Sequence, residues 1–449
     1  MSNQVFCTSQ KSGESITGFR VFGAALLTLA LTSPSFSAPP PPAFTPNHVF
    51  IGGKDVTTTD GTIFEFDAAG NFVRKIAVPS GTGGDYIYGV TFGPDGNLYC
   101  AAQLAEKIIR IEPSLDQTDF VTADKGLSSP VGVTFGPQGR LYVANRAGSA
   151  SVIAFDNDGS VVASNSPAGG LFPSYVTFGP EGHLFVSMFG SSAPDQIQEW
   201  DADLRYIRTI GSGAFADFPA NVVFGRNDVI YVGNYTANRL QRFDADGAAL
   251  SDVVATNLNG PYGAALGPDG HLYVVNNFGA PNVVVLNPDT GESVRTLSHP
   301  DLQFASGIAF APFRFKATLK GTIVGANPAA VKLAEPNCVI SVSPGSGTVL
   351  VNLADGATTN DIPSLFSNIS ALVFHGNDAA APGGHHFITQ GASVSKHAAG
   401  RTVGAVDVYM KGSTDSDGYY VPKTLSGSVH LSRPGVGTTI TFTTSKRVP

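Results

Sequence analysis

The stretch YGVTFGPDGNLYCA (Tyr88–Ala101) decides the reading of this chain, because it is written again as VGVTFGPQGRLYVAN (Val131–Asn145) and SYVTFGPEGHLFVSM (Ser174–Met188). Aligned on the aromatic or Leu that precedes the small-Pro step, the copies fall at Phe92, Phe135, Phe178, Phe224, Leu266 and Phe310. The separations are 43, 43, 46, 42 and 44 residues. A period that narrow over five intervals marks a repeat architecture. Inside each copy "GVTFG" alternates with period two, a Pro/Gly step turns the chain, and "LYVAN" alternates again, which is the pattern of a tight β-hairpin. A third strand follows in SVIAFDNDG (151–159), NRLQRFDADG (238–247) and NVVVLNPDTG (282–291), and a fourth in NFVRKI (71–76), LRYIRTI (204–210) and ESVRTL (292–297). Four strands per 40–45 residues predict a β-propeller blade.

The ends of the repeat predict how the ring closes. Ser306–Phe313 holds only the first strand of a blade, and Asn47–Ile76 only the second, third and fourth. Together they complete one blade, which with five intact ones makes six. A ring closed by strands from both ends leaves no open sheet edge there. The expected fold is therefore all-β: a six-bladed propeller over residues 47–313, followed by a smaller β-rich domain over 315–449. That second domain holds alternating runs such as CVISVSPGSGTVLVNL (338–353) and AVDVYMKG (405–412), which predict an antiparallel sandwich. Ile362–Phe374 reads as a short helix followed by a strand.

Composition agrees and narrows the function. The chain has 449 residues, 52 of them Gly and 30 Pro, with only 14 % charged residues and a net charge of −8. Nucleic acid and anionic membrane surfaces select basic patches, so neither is an expected partner. Lys11 and Arg20 precede the apolar run Val21–Thr32, and Ser35 and Ser37 fit a cleavage site before Ala38. Residues 1–37 thus read as an export signal too short to span a bilayer, and 38–46 as a Pro-rich linker. The expectation is a monomer, secreted or periplasmic, with no membrane span in its mature form. Of the three cysteines Cys7 leaves with the signal. An oxidising compartment permits a Cys100–Cys338 disulfide, and two buried thiols are the other reading.

Two segments, PVGVTFGPQGRLYVAN and PANVVFGRNDVIYVGNYTANRLQRFDADG (219–247), resemble NHL repeats, with ANRLQRFD in the place of that family's Asn-His-Arg-Ile pattern. More broadly residues 47–313 resemble secreted six-bladed propellers that include streptogramin-type lyases and the gluconolactonase/regucalcin group. The resemblance implies the fold, but its motifs are the blade's framework. No resemblance is found for residues 315–449.

In such a ring, ligands meet the loops leading into the innermost strands and those leaving the second strands. The former carry Asp85, Tyr86, Tyr88, Tyr175, Asn221 and Tyr262. The latter carry Gln103, Asn145, Arg146, Met188, Phe189, Asn234, Tyr235, Asn276, Asn277 and Phe278. Amides and aromatic faces suit a neutral polar ligand: an extracellular glycan, a peptide or a protein. Asn145, Asn234 and Asn276 recur at one position, which favours a framework role. Arg146, Tyr235, Asn277 and Phe278 break the repeat, so they are the sharper ligand candidates.

The resemblance to gluconolactonases also leaves room for a divalent cation in the channel. Asn221 stands where that group has an Asn, but Asn234 stands where it has an Asp, and hard cations want charged oxygens. Streptogramin-type lyases use a His on the ligand face. Here His48, His183 and His271 fall at hairpin tips of the opposite face and read as exposed turn residues. His375, Asp378, His385 and His386 gather in FHGNDAAAPGGHHF (374–387) without a recognised metal spacing. No cofactor and no catalytic residue is assigned. The favoured function is a binding or scaffold module, with a metal-dependent hydrolase, lactonase or lyase as the alternative, and an adhesive role for the C-terminal domain as a third.

Overall fold

Every 44-residue repeat is one four-stranded antiparallel sheet, because its alternating runs bury one face against each neighbouring sheet. The computed structural model describes residues 44–448, apart from 59, 80, 82–84, 192, 213–214, 216–217, 226–227, 254–256, 325–329, 344–347, 353–370, 376–377, 382–383, 398–399, 415–419 and 434–435. The export signal, most of the linker and the expected helix within 362–374 lie outside these residues. From the inside out, blade 2 is Ile87–Phe92, Leu98–Ala102, Lys107–Ile111 and Gln117–Val121. Blades 3 to 6 begin with the innermost strands Pro130–Phe135, Leu171–Phe178, Pro219–Phe224 and Pro261–Leu266 and repeat the same order. Blade 1 takes its innermost strand, Leu302–Phe310, from the far end of the repeat and pairs it with Val49–Asp55, followed by Gly61–Phe66 and Phe72–Val78. Val49 faces Phe310 and Ile51 faces Ile308 in that register. Each innermost strand contacts the next, and blade 6 returns to blade 1, so the ring is closed.

The repeated motif explains the packing between blades. Its Tyr or Phe on the second strand meets the motif Phe of the next blade's innermost strand edge to face. Tyr99 meets Phe135 at 5.0 Å, Tyr142 meets Phe178 at 4.9 Å, Phe185 meets Phe224 at 4.8 Å, Tyr273 meets Phe310 at 4.9 Å and Phe50 meets Phe92 at 5.3 Å. Tyr231 and Leu266 share a core cluster at the sixth joint. Each aromatic pair adds about 0.5–1.5 kcal/mol beyond its buried area. The Gly after the motif Phe is required by those rings: a Cβ on Gly267 would sit 2.3 Å from the Tyr273 ring, and one on Gly225 2.4 Å from Tyr231.

After a two-residue link the chain enters one nine-stranded antiparallel sheet. Its order is Ala371–His375, Thr348–Asn352, Ala330–Ser343, Phe313–Val324, Val436–Val448, Tyr420–Arg433, Gly400–Thr414, Gly384–His397 and Asp378–Ala381. Phe313, Phe315, Ala317 and Leu319 alternate onto the same buried face as Val406, Val408, Met410, Ile440 and Phe442. The β-rich domain is there, but its apolar face is enclosed by the curl of one sheet, whose Ala371–His375 and Gly384–His397 strands touch, and not by two stacked sheets. Continuous pairing through long strands of 12–15 residues removes the break that a sandwich needs. Cys100 and Cys338 are buried thiols in separate cores and are not joined in a disulfide. Among the described residues no helix is long and apolar enough to cross a membrane.

Candidate functional site

The loops leading into and out of the blades meet through one repeated backbone bond. The N–H groups of Gln103, Arg146, Tyr235 and Asn277 donate to the carbonyls of Tyr86, Ser129, Phe218 and Gly260, at 3.0–3.1 Å. These four residues therefore occupy one position in blades 2, 3, 5 and 6. Their backbone is fixed while their side chains differ, which is how a repeat displays variable groups around a mouth. The residue just before three of them serves the framework instead. Asn145 accepts from Ser128 N and donates to Gly126 O. Asn276 accepts from Asn259 N and donates to Asn257 O. Asn234 donates to Gln241 Oε1 and accepts from Ala237 N.

Aromatic rings line the mouth. Phe172 stacks on Phe189, Phe189 meets Phe218, Phe218 meets Tyr235 and Tyr262, Tyr262 meets Tyr88, and Tyr88 meets Phe304 and Tyr86. Phe278 lies on Tyr235 at 4.5 Å and is 42 % exposed. Blades 4, 5, 6, 1 and 2 supply these rings, and blade 3 supplies Arg146, whose guanidinium sits 5.3 Å from the Tyr88 ring centre. Lys54 lies 4.8 Å from the Tyr86 ring centre in the same way. Sequence reading missed Lys54, Phe172, Phe218 and Phe304. They lie in loops or strand ends that break the repeat, and only closure of the ring brings them to one place.

Charge at the mouth is simple. Burial pushes the Tyr88, Tyr235 and Tyr262 phenols above their ordinary range, so they stay protonated donors; Arg146 opposes that rise. The Tyr262 hydroxyl is buried and reaches only toward Ser174 Oγ, short of a well-formed hydrogen bond. Asp85 is fully buried and spends its carboxylate on backbone: Oδ1 accepts from Tyr86 N and Leu104 N, Oδ2 from Ala105 N. Asp195 likewise holds Gly190 N and Phe218 N. Both acids position the rings and offer no free charge.

The remaining expected residues part company. Tyr175 turns into the channel and lines a cavity at its other end. Met188 belongs to a blade core. Asn221 is buried, donates to Tyr262 O at 2.7 Å and leaves Oδ1 unpartnered. That single amide oxygen, with Asn234 turned onto Gln241 and Asp85 spent, does not make the oxygen set a hard cation needs. No group of three His, Cys, Asp or Glu residues is poised for a metal among the described residues. The hairpin-tip histidines differ from expectation. His48 Nδ1 lies 2.7 Å from Glu65 and His183 Nδ1 2.6 Å from Glu199, each Glu also held by an Arg of the outer strand. Buried carboxylates on the third strand draw these imidazoles in, so they are paired and largely covered. Asp378, His385 and His386 have side chains outside the described set, whereas His375 caps the channel.

No family model matches the chain, and no curated protein matches it. Among solved structures, similar chains include one from a nidogen/laminin complex (15 % identical, 59 % of this chain and 98 % of that one, TM-score 0.49). Others are a protein of unknown function from Bacteroides caccae (14 %, 59 % and 98 %, 0.46) and a streptogramin B lyase (14 %, 88 % and 97 %, 0.40). The six-bladed assignment rests on the sheet order and closure given above.

Proposed function

We propose that this chain is an exported, monomeric binding or scaffold propeller that takes an extracellular glycan, peptide or protein segment at its aromatic mouth. The arc of half-buried rings, with Arg146 and Lys54 lying over two of them, carries the reading. Ring faces stack on sugars, prolines and aromatic side chains, while the two cations and protonated phenols donate to acceptors beside them. The amides expected to read a polar ligand are mostly committed to the framework, so stacking contributes more than amide hydrogen bonding. Such a surface orients a ligand without a poised base or nucleophile, which favours binding over lyase or lactonase chemistry.

The test is a screen of immobilised extracellular glycans and peptides against wild-type protein and Tyr88→Ala. Retention by wild type and loss of at least about tenfold in the variant is expected. Equal retention by both proteins would place binding elsewhere. N-terminal sequencing of the exported protein should begin at Ala38.

A further inference from the structure

A cavity lies at the end of the channel away from the aromatic mouth. The innermost strands of all six blades enclose a cavity of about 180 Å³, and Pro312, Ser343 and His375 bring the C-terminal sheet against its far end. Outside the cavity lining Arg314 Nη2 donates to Asp95 O at 2.8 Å, and at the cavity the His375 ring stacks on Phe178 with its Nε2 3.1 Å from Phe135 O. With Nε2–H donating to that carbonyl, Nδ1 is left as an acceptor.

The wall has two unlike halves. Blades 2, 3 and 4 present Thr91, Thr134 and Thr177 at one level, whereas blades 5, 6 and 1 present Val223, Ala265 and Ala309 at the equivalent level. The three threonine hydroxyls and the Tyr175 hydroxyl make no side-chain hydrogen bond among the described residues. Thr134 is only 8 % exposed, so its unpaired hydroxyl faces the cavity. Among the described residues no Asp, Glu, Lys or Arg lines the chamber. Burial pushes the Tyr175 phenol up to about 12 and His375 down to about 4, so both stay neutral near pH 7.

We infer that this chamber binds a small uncharged polyol, its hydroxylated edge on Thr91, Thr134 and Thr177 and its C–H edge on Val223, Ala265 and Ala309. The absence of any charged lining group disfavours an ion, since a buried charge needs a partner. That volume is more than ten times the ~10–15 Å³ that one water requires, so a four- or five-carbon polyol has room in it. One wall of unpaired hydroxyls and one of methyl groups matches a flexible polyol, which can turn hydroxyls toward one wall and C–H groups toward the other by rotation about its C–C bonds. The site is separate from the mouth and does not depend on it.

Saturation-transfer NMR with xylitol on the full chain tests this. Thr134→Val/Thr177→Val keeps side-chain size and strand preference while deleting two hydroxyls, and Phe218→Ala alters only the mouth. Transfer to xylitol is expected for wild type and Phe218→Ala at millimolar affinity, with a loss of about tenfold or more in the Val pair. Circular dichroism confirms that the pair folds. No transfer at about 50 mM xylitol, transfer unchanged in the Val pair, or transfer lost in Phe218→Ala instead would each overturn the proposal. A crystal soaked in xylitol that shows only water in the chamber would overturn it as well.

Discussion

Phe218 has a φ of 53°, in the left-handed region, and is followed by Pro219. Gly260 holds the same place in blade 6 at 63°, and Ser129 in blade 3 at 56°. A non-glycine residue in that region costs about 1–2 kcal/mol, so blade 5 carries a penalty that blade 6 avoids. What it gains is a ring set 4.8 Å from Phe189, 5.4 Å from Tyr235 and 5.9 Å from Tyr262. If the ring is there for the mouth, two truncations should separate backbone from side chain. Phe218→Ala loses roughly half a ring's burial, about 2 kcal/mol, and keeps the strained backbone. Phe218→Gly loses the same contacts and relieves the strain, at about 0.5–1 kcal/mol of extra chain entropy, for a net cost near 1 kcal/mol. Glycine should thus be the more stable of the two, by about 0.5–1 kcal/mol, against the usual order. Urea titration followed by the lone Trp200, buried in blade 4, reports the midpoints. Both variants should lose ligand retention alike. An alanine variant as stable as or more stable than the glycine variant would refute the strain argument.

Four further outcomes are expected. Asp85→Ala leaves three partly buried backbone N–H groups without their carboxylate and should cost about 2–4 kcal/mol, whereas Asp85→Asn can keep the two Oδ1 bonds and should cost about 1–2 kcal/mol; equal losses in urea titration would contradict the bracket geometry. Burial alone would raise the Glu199 carboxyl, but His183 and Arg208 hold it below its ordinary value of 4.5. Its stabilising contribution is therefore present above pH 4.5 and lost as pH falls through the lowered folded value, and Glu199→Gln should flatten that part of the stability–pH curve. Gly263→Ala puts a Cβ 1.8 Å from Ser306 O across the joint of blades 6 and 1, so the variant should lose about 3 kcal/mol or more, or fail to accumulate as folded protein. Cys100, whose thiol burial pushes up, and Cys338 should react with a thiol reagent only after unfolding; rapid reaction of the native protein at either would show that it is not buried.

The sequence by itself determined the blade. Period-two alternation, Pro/Gly turns and a 44-residue spacing are local signals, and local signals suffice for hairpins. Closure was legible too, since Leu302–Phe310 lacked three strands and Val49–Val78 lacked one. Tertiary structure decided what each side chain does. The recurrence of Asn145, Asn234 and Asn276 already favoured a framework role, but only the folded loops show which backbone and side-chain groups each one holds. His183 looked exposed until Glu199, on a strand it pairs beside, reached it. Phe218, Phe304 and Lys54 join the Tyr86–Tyr88 rings only because six sheets arranged in a ring bring residues 34 to 216 positions from Tyr88 to one mouth. The C-terminal strands were visible as strands, but nothing local announces that one sheet curls around its own core or sets His375 under the channel. Hydrogen bonds and burial at such places depend on partners distant in the chain, and a repeat, by making its copies alike, conceals which copy carries the difference that matters.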